Sequence, residues 1–497
     1  MNHSMPNSNF LISKALSICE PSYKEQARIT TIAHEVKAYV DRYVAGLDNV
    51  VDVVFGGSFA KGTWLPRQAD IDIFVKIKPS VTVERFEQMG REIGSEALKT
   101  FSPKLRYSDH PYVEAFVNKI RVNVVPCYDV QQGKWQSAAD RSPFHTQFIM
   151  SHFDDEKRRQ VRLLKKFFKS VGIYGAEIAT EGFSGYVSEV LLLKYSSFEK
   201  VLYSAANDWQ NKQIIVAVSD YDSDFIKTFN SPLIIIDPVD SRRNLGTAIS
   251  PESVGKFMLA ARAFLEKPSL TFFKEDKKKY SYYPYRGSNM KHLLPNVLVV
   301  EFSHESKSPD VIWGQLKRTT NTIAKQLELA RFEVLRSSCI TDEKNSAALA
   351  FLLESITLPL YTKRRGPEVF RRDNTAAFLS NTKNKPIALW VDKEMRIAMV
   401  VERKATDARK LVKSLLLNYG EKKGNSPGNS HGDSSGGNSS GNSSSTSITK
   451  DPVKKNRLQV YSGSERKKIK GLAKEVISEV VSTESLIFKR GARYKVI

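Results

Sequence analysis

Residues 55–75 read FGGSFAKGTWLPRQADIDIFV. Gly56-Gly57-Ser58 stands eleven residues ahead of Asp70-Ile71-Asp72, and both groups are flanked by apolar residues. Side chains on a strand alternate between faces, so Asp70 and Asp72 project to the same side. Two carboxylates on one face offer the hard oxygen donors that Mg2+ prefers. Two such ions about 3.5–4 Å apart can clamp the attacking and leaving oxygens of an in-line phosphoryl displacement. The glycines let backbone N–H groups approach a phosphate, Ser58 adds a hydroxyl donor, and a helix starting there favours negative charge. A lone DxD is usually a solvated strand end and a lone GGS a turn. In this order and spacing, between apolar runs, they point together to phosphoryl-transfer chemistry.

The surrounding pattern supplies elements to hold them. Val50–Phe55 and Ile71–Ile77 read as strands, and residues 24–46 as an amphipathic helix. Tyr112–Val117 and Ile120–Pro126 are β-rich runs around Asn118-Lys119, which predicts a hairpin whose paired residue numbers sum to 237. That register sets Glu114 opposite Asn123. Residues 155–171, 183–203 and Pro251–Glu266 read as helices, and Leu233–Ile236 as a short buried strand entering the turn Asp237-Pro238-Val239-Asp240. No internal repeat is evident.

Composition narrows the class. The 497 residues carry 76 Lys+Arg against 54 Asp+Glu, a net +22, which favours a polyanionic partner. Three widely spaced cysteines, Cys19, Cys127 and Cys339, exclude a disulfide scaffold and a CxxC zinc site. No run reaches the roughly 18 apolar residues of a membrane span, so no membrane partner is expected. The first residues lack a signal-peptide pattern, and a reducing, cytoplasmic location is the expectation. Residues 424–449 are almost wholly Gly, Ser and Asn and read as a flexible linker. Beyond it, Ile469, Leu472, Ala473, Val476, Ile477, Val480 and Val481 form one apolar helical stripe that should dock on the protein.

The GGS and DxD pair resembles the nucleotidyltransferase superfamily that includes DNA polymerase beta and poly(A) polymerases. A closer resemblance, to archaeal-type (class I) CCA-adding enzymes, runs through residues 110–128, 140–149, 161–192, 234–250, 312–318 and 364–372, in that family's order. It implies an α+β multidomain protein: a polymerase beta-like mixed-sheet head with helices on one side, a helical neck, and an α/β body and tail. The implied division is head 1–141, neck 142–275, body 276–330, tail 331–405, body again 406–423, linker 424–449 and a C-terminal body segment 450–497. The implied activity is template-independent addition of C, C and A to the tRNA 3′ end from CTP and ATP. The implied partners are the tRNA acceptor arm and both nucleotides, with a homodimer left open.

By the same resemblance, Asp70 and Asp72 hold two Mg2+ ions, with Asn123 completing the catalytic set. Gly57, Ser58 and Lys61 belong to the triphosphate turn. Lys165 and Tyr174 contact triphosphate and sugar, Ser142 and His145 sugar or phosphate, and Arg243 the base edge, with His110 close by. Read alone, Lys165 is a solvated helical face, Tyr174 packing, and each histidine a structural one, whereas the planar donors of Arg243 suit a base acceptor. Lys363, Arg364, Arg365, Arg371 and Arg372 suit RNA phosphates.

Two features depart from the pattern. Where the family usually has a third carboxylate, this chain has Asn123, which keeps an amide oxygen but removes a negative charge. Glu114, opposite in the expected hairpin, could supply the missing carboxylate. The linker and the segment after it are also unlike the family, and that segment could replace the last body strands and helix. The rival readings are a poly(A)-polymerase-like or oligoadenylate-synthase-like enzyme, and a tRNA-binding protein that lost catalysis through Asn123.

Overall fold

A computed structural model describes residues 6–107, 110–210, 213–229, 231–274, 292–381, 386–421, 458–465 and 469–482. The expected linker at 424–449 lies outside these residues. The chain divides into two compact units, one within Met1–Asp276 and one within Lys277–Thr483. Residues 1–275, read from sequence as head and neck, fall in the first, and the described residues of the body, tail and C-terminal segment fall in the second.

The first unit opens with α1 (Pro6–Cys19) and α2 (Tyr23–Val44), followed by β1 (Val50–Gly56), α3 (Gly57–Lys61) and β2 (Asp70–Ile77). Then come α4 (Val83–Ala97), β3 (Lys104–Tyr107), β4 (Pro111–Val117) and β5 (Ile120–Tyr128). The strands form one sheet, ordered β1-β2-β5-β4-β3, in which only β2 and β5 run parallel. This is the mixed sheet expected. Ile71, Ile73, Val75, Val122 and Val124 alternate onto one face and bury against Ile29, Val36 and Val40 of α2 and Phe86 and Ile93 of α4. The opposite face carries the polar members of the same strands. The hairpin register is as expected: Glu114 pairs with Asn123 and Val117 with Ile120. Asn118 and Lys119 both take positive φ, 50° and 68°, the backbone of a two-residue turn matching strand twist.

The rest of this unit is mostly helical: α5 (Arg141–His152), α6 (Asp155–Val171), α7 (Gly185–Tyr195), α8 (Phe198–Asn207), β6 (Ile214–Val216), α9 (Ser223–Lys227), β7 (Leu233–Ile235) and α10 (Pro251–Glu266). The single helix read over 183–203 is two. Ser196 takes the left-handed conformation (φ 71°) that ends α7, and the Ser197 side chain caps α8 by accepting from the Lys200 amide. Phe167 of α6 sits at the centre of this core, its ring meeting Phe198, Phe257, Phe264, Phe272 and Phe273. Leu65, from the loop between α3 and β2, joins the same core. The loop that leads into the aspartate strand is therefore clamped by the helices.

The second unit holds β8 (Val297–Ser303), α11 (Pro309–Leu329), β9 (Val334–Thr341) and β10 (Ser346–Leu353). It continues with β11 (Tyr361–Glu368), α12 (Arg372–Ser380), β12 (Ala388–Val391), β13 (Arg396–Glu402), α13 (Ala408–Glu421), β14 (Gln459–Ser462) and α14 (Gly471–Val481). An antiparallel sheet ordered β14-β8-β10-β9 is buried on both faces, which is why β10 reads as the unbroken apolar run SAALAFLL. One face packs on α11 and α13. The other presents Val297, Val299, Ala348 and Ala350 to Ala473, Val476, Ile477 and Val480 of α14. The C-terminal stripe thus docks as expected, and β14 adds an edge strand to β8. A separate three-stranded sheet, β11-β13-β12, carries α12.

Removing packing from α14 should weaken this unit. Ile477→Ala is expected to cost about 2–5 kcal/mol in urea unfolding of the second unit; an unchanged midpoint would mean α14 contributes nothing to the core.

Candidate active site

The register of the first sheet brings the motif together. Gly56, Asp72, Asn123 and Glu114 lie in one row across β1, β2, β5 and β4. The glycine turn and the aspartate strand, separated in sequence, are thus direct neighbours. Gly57 has φ +63°, and a Cβ there would lie 1.9 Å from Asp72 Oδ2. Only glycine satisfies both the left-handed backbone and this approach. Ser58 follows, half-buried, in the first turn of α3.

Each aspartate has a polar neighbour from β5. Asn123 Nδ2 donates to Asp72 Oδ1 at 2.8 Å, and the Arg121 guanidinium donates to Asp70 Oδ2. Burial pushes the Asp72 carboxyl up; the Asn123 amide opposes this and the Asp70 charge adds to it. Arg121 was not singled out from sequence, although it stands two residues before Asn123 and so shares its face. Glu114 occupies the expected register position, but its carboxylate accepts from Arg106 Nε and Nη2 at 3.0 and 2.7 Å. Among the described residues no three His, Cys, Asp or Glu side chains are grouped to hold a metal ion. Glu114 is thus paired with Arg106 rather than grouped with the aspartates among the described residues.

A second cluster lies among α3, α6 and α7. The Glu189 carboxylate accepts from Lys61 Nζ and Lys165 Nζ, both at 2.8 Å, and from the Thr63 hydroxyl at 2.7 Å. Lys61, Lys165 and Glu189 are 7%, 2% and 1% exposed. Lys165 is thus neither a solvated face nor an open phosphate donor; its ammonium is spent on Glu189 and Thr63. One carboxylate here serves two ammonium groups. Burial pushes Glu189 up, but the two lysines outweigh it and hold it at about 2. Burial pulls Lys165 below its ordinary value, and its share of one carboxylate does not restore it. Tyr174 adjoins this cluster: a Cβ on Gly185 would meet both Tyr174 Oη and Lys165 Nζ.

A third cluster surrounds Asp237 in the turn after β7. His145 Nε2 lies 2.9 Å from Asp237 Oδ2, Tyr186 Oη donates to Oδ1 at 3.1 Å, and Arg243 Nη1 is 3.5 Å from Oδ2. The His145 ring stacks on Tyr186 with centroids 4.0 Å apart. Burial lowers the His145 pKa, and the Asp237 bond only partly restores it. Ser142 sits one turn earlier on α5. His110 is elsewhere, its ring edge-on to Phe86 and its Nδ1 3.3 Å from Glu87 of α4. Sequence reading missed Glu189, Tyr186 and Asp237. Of these, the sequence pattern marks only the turn around Asp237.

In the second unit, Lys363, Arg364 and Arg365 lie on β11. Lys363 stands over Trp390 at 5.5 Å, and Arg365 reaches Asp392 and Glu394. Arg364, on the alternate face, covers Phe378 of α12 at 5.4 Å. Arg371 pairs with Glu368 at 3.0 Å, and Arg372 starts α12.

Comparison with known proteins decides the family. A model described as a nucleotidyltransferase domain matches residues 36–153. One described as tRNA nucleotidyltransferase, second domain, matches 159–274, and one described as CCA-adding enzyme, C-terminal domain, matches 295–426. The CCA-adding enzyme of Pyrobaculum aerophilum is 36% identical over 408 residues, covering 80% of this chain and 91% of that one. That of Saccharolobus shibatae is 33% identical over 402 residues, covering 80% and 90%. The chain belongs to the CCA-adding enzyme family. It is a nucleotidyltransferase, and its Asp70–Asp72 face lies within the matched catalytic domain. Among solved structures, the Cid1 poly(U) polymerase with 3′-dATP has a TM-score of 0.44 and 15% identity, covering 55% of this chain and all of that one.

Nucleotidyltransferase domains use divalent metal, and the residues here fit one. Asp70 and Asp72 share a face, and Asn123 Oδ1 is a buried oxygen with no hydrogen-bond partner. Two carboxylates and an orphaned amide oxygen make an oxygen donor set for a hard cation.

Two outcomes follow. Asn123→Asp should tighten Mn2+ binding, about tenfold by paramagnetic titration, by adding a charged ligand; unchanged affinity would place position 123 outside the metal set. Glu189→Gln should cost the first unit about 3–5 kcal/mol, because two buried ammonium groups lose their counter-charge. In the unsubstituted protein the Glu189 contribution is fully present above about pH 4.5 and is lost as pH falls through about 2. Glu189→Gln should flatten that part of the acid-unfolding curve.

Proposed function

We propose that the chain extends the tRNA 3′ end with C, C and A, taking CTP and ATP and releasing pyrophosphate, without a nucleic-acid template. The observation that carries this is the row Gly56–Asp72–Asn123, which sets the glycine turn against the carboxylate strand in a member of the CCA-adding enzyme family. In this reading Asp70, Asp72 and the Asn123 amide oxygen hold two Mg2+ ions. Those ions, when bound, lower the charge on the reacting phosphate and its oxygens.

The protein's own groups do the rest. The Gly57 backbone and Ser58 hydroxyl receive the triphosphate. Lys61 and Lys165 lend it the positive potential that Glu189 leaves unneutralised, and Tyr174 and Ser142 border sugar and phosphate. Arg243 presents planar donors to the base edge, with His145 beside it. His110, held against Phe86 and Glu87 of α4, has no part in this reading. The tRNA 3′ hydroxyl attacks the α phosphate, the bond to the β phosphate's bridging oxygen breaks, and pyrophosphate leaves. Lys363, Arg364, Arg365, Arg371 and Arg372 contact the acceptor-arm backbone. The place of action is the cytoplasm. No helix among the described residues is long and apolar enough to cross a membrane. A homodimer stays a proposal to be settled by solution mass.

The rival readings are less favoured. Relatives matching four fifths of the chain are CCA-adding enzymes, and a decayed site would not need the Gly57–Asp72 fit.

Purified protein incubated with tRNA ending before CCA should incorporate label from CTP and then from ATP, and Asp72→Asn should bring incorporation to background. Binding of tRNA with no incorporation in Mg2+ or Mn2+ would overturn the catalytic reading. Replacing Lys363 and Arg365 together by alanine should weaken tRNA binding and reduce its log–log salt slope by about one per lost phosphate contact.

A further inference from the structure

Asp237 has no exposed surface, yet all its acceptor capacity is used on one cluster. Oδ1 accepts from Tyr186 Oη at 3.1 Å and from the Val239 amide at 3.0 Å. Oδ2 faces His145 Nε2 at 2.9 Å and Arg243 Nη1 at 3.5 Å. A carboxylate has about four lone-pair sites, so none is left over. His145 must carry its proton on Nε2 to make this bond, which fixes its tautomer.

The backbone closes the same loop. The Asp237 amide donates to the Arg243 carbonyl at 3.1 Å, and the Arg243 amide donates to the Asp240 carbonyl at 2.8 Å. The segment after β7 therefore returns Arg243 beside Asp237 by its own hydrogen bonds. The Arg243 side chain is 47% exposed, so one end of the guanidinium is anchored while the rest faces out. A long, flexible side chain thereby has one end tied to Asp237.

Tyr186 links this anchor to the lysines beneath the glycine turn. Its hydroxyl bonds Asp237, and its ring lies 5.1 Å from Lys61 Nζ. Glu189, three residues on along α7 and so on the same helical face, holds Lys61 and Lys165. One face of α7 thus touches both the carboxylate that anchors Arg243 and the ammonium groups under the triphosphate turn.

We propose that Asp237 is a positioning residue for nucleotide selection: it aims the Arg243 guanidinium at the incoming base, with Tyr186 locking the carboxylate that does so. This rests on Arg243 as the base reader. Asp237 touches no substrate; it acts through Arg243. Loss of the anchor leaves the guanidinium present but undirected, so cognate nucleotides lose their advantage while phosphate binding is retained.

The experiment measures kcat and KM for CTP, ATP and UTP on tRNA substrates with the full chain. It compares Arg243→Ala, Asp237→Asn, the double variant and Tyr186→Phe. Inhibition by inorganic tripolyphosphate, which has no base, is the control. Asp237→Asn should raise KM for CTP and ATP and cut their preference over UTP about tenfold, with tripolyphosphate inhibition unchanged. The double variant should lose no more base preference than Arg243→Ala, since both act on that one function. Tyr186→Phe, which keeps the ring, should show a smaller loss of preference, about threefold.

If Arg243→Ala loses preference and Asp237→Asn keeps it, the positioning role is wrong and the base reader stands. If Arg243→Ala keeps preference, the base reader fails and the positioning role falls with it. If Asp237→Asn weakens tripolyphosphate as much as CTP, its effect is general damage to the site and the proposal is overturned. Should Asp237→Asn fail to fold, Tyr186→Phe decides: unchanged preference in that variant overturns the proposal.

Discussion

One buried carboxylate does much to set the geometry of the first unit. Glu189 joins the turn that follows β1 to the helices that follow the sheet, because its two oxygens are shared by Lys61 of α3 and Lys165 of α6. Taking three charges out of water is unfavourable unless geometry and hydrogen bonding compensate. Here the Thr63 hydroxyl and carbonyl complete the set, and all four residues are buried. The arrangement sets two lysine side chains against one carboxylate within a water-poor region. An anion brought to the glycine turn meets those lysines at lower dielectric than at the surface, where they would be screened. The same ion pairs that make the unit cohesive thus set the sign of what it attracts.

Much of the sheet and its carboxylate-bearing row was legible from the chain, since it depends on short-range rules. Strand alternation put Asp70 and Asp72 on one face, and a two-residue turn fixed Glu114 opposite Asn123. The family and its activity were legible too, through blocks of residues in a fixed order. The partners of these residues were not. Glu189 sits in the apolar run VSEVLLL and reads as an isolated polar residue of a helix; Lys61, 128 positions earlier, gives it meaning. Lys165 looked solvated because it adjoins Lys166, and only the packing of α6 turned it inward. Glu114 shows the converse: its register was right, but a neighbouring strand supplied Arg106, which local pattern does not reveal.

The net charge of +22 acquires structure in this light. In the first unit, basic groups near the site are largely matched: Arg121 with Asp70, Arg106 with Glu114, Arg141 with Asp240. These pairs orient side chains more than they create a field. Lys363 and Arg365 on β11 share Asp392, but remain exposed beside Trp390, where a cation and an aromatic face together suit a nucleic-acid backbone and base.

The edge strand β14 also has a temporal meaning. Tyr461, whose hydroxyl donates to Glu301, closes a contact across 160 residues of chain. The first unit has its sheet and aromatic core once residue 274 has been made. The sheet of the second gains its fourth strand and one of its covering helices only when residues 459–481 have emerged from the ribosome. Synthesis would therefore deliver an assembled catalytic unit well before the other is finished. In the interval the Val299–Ala350 face of the nascent sheet is apolar and lacks its covering helix, the kind of surface that invites aggregation.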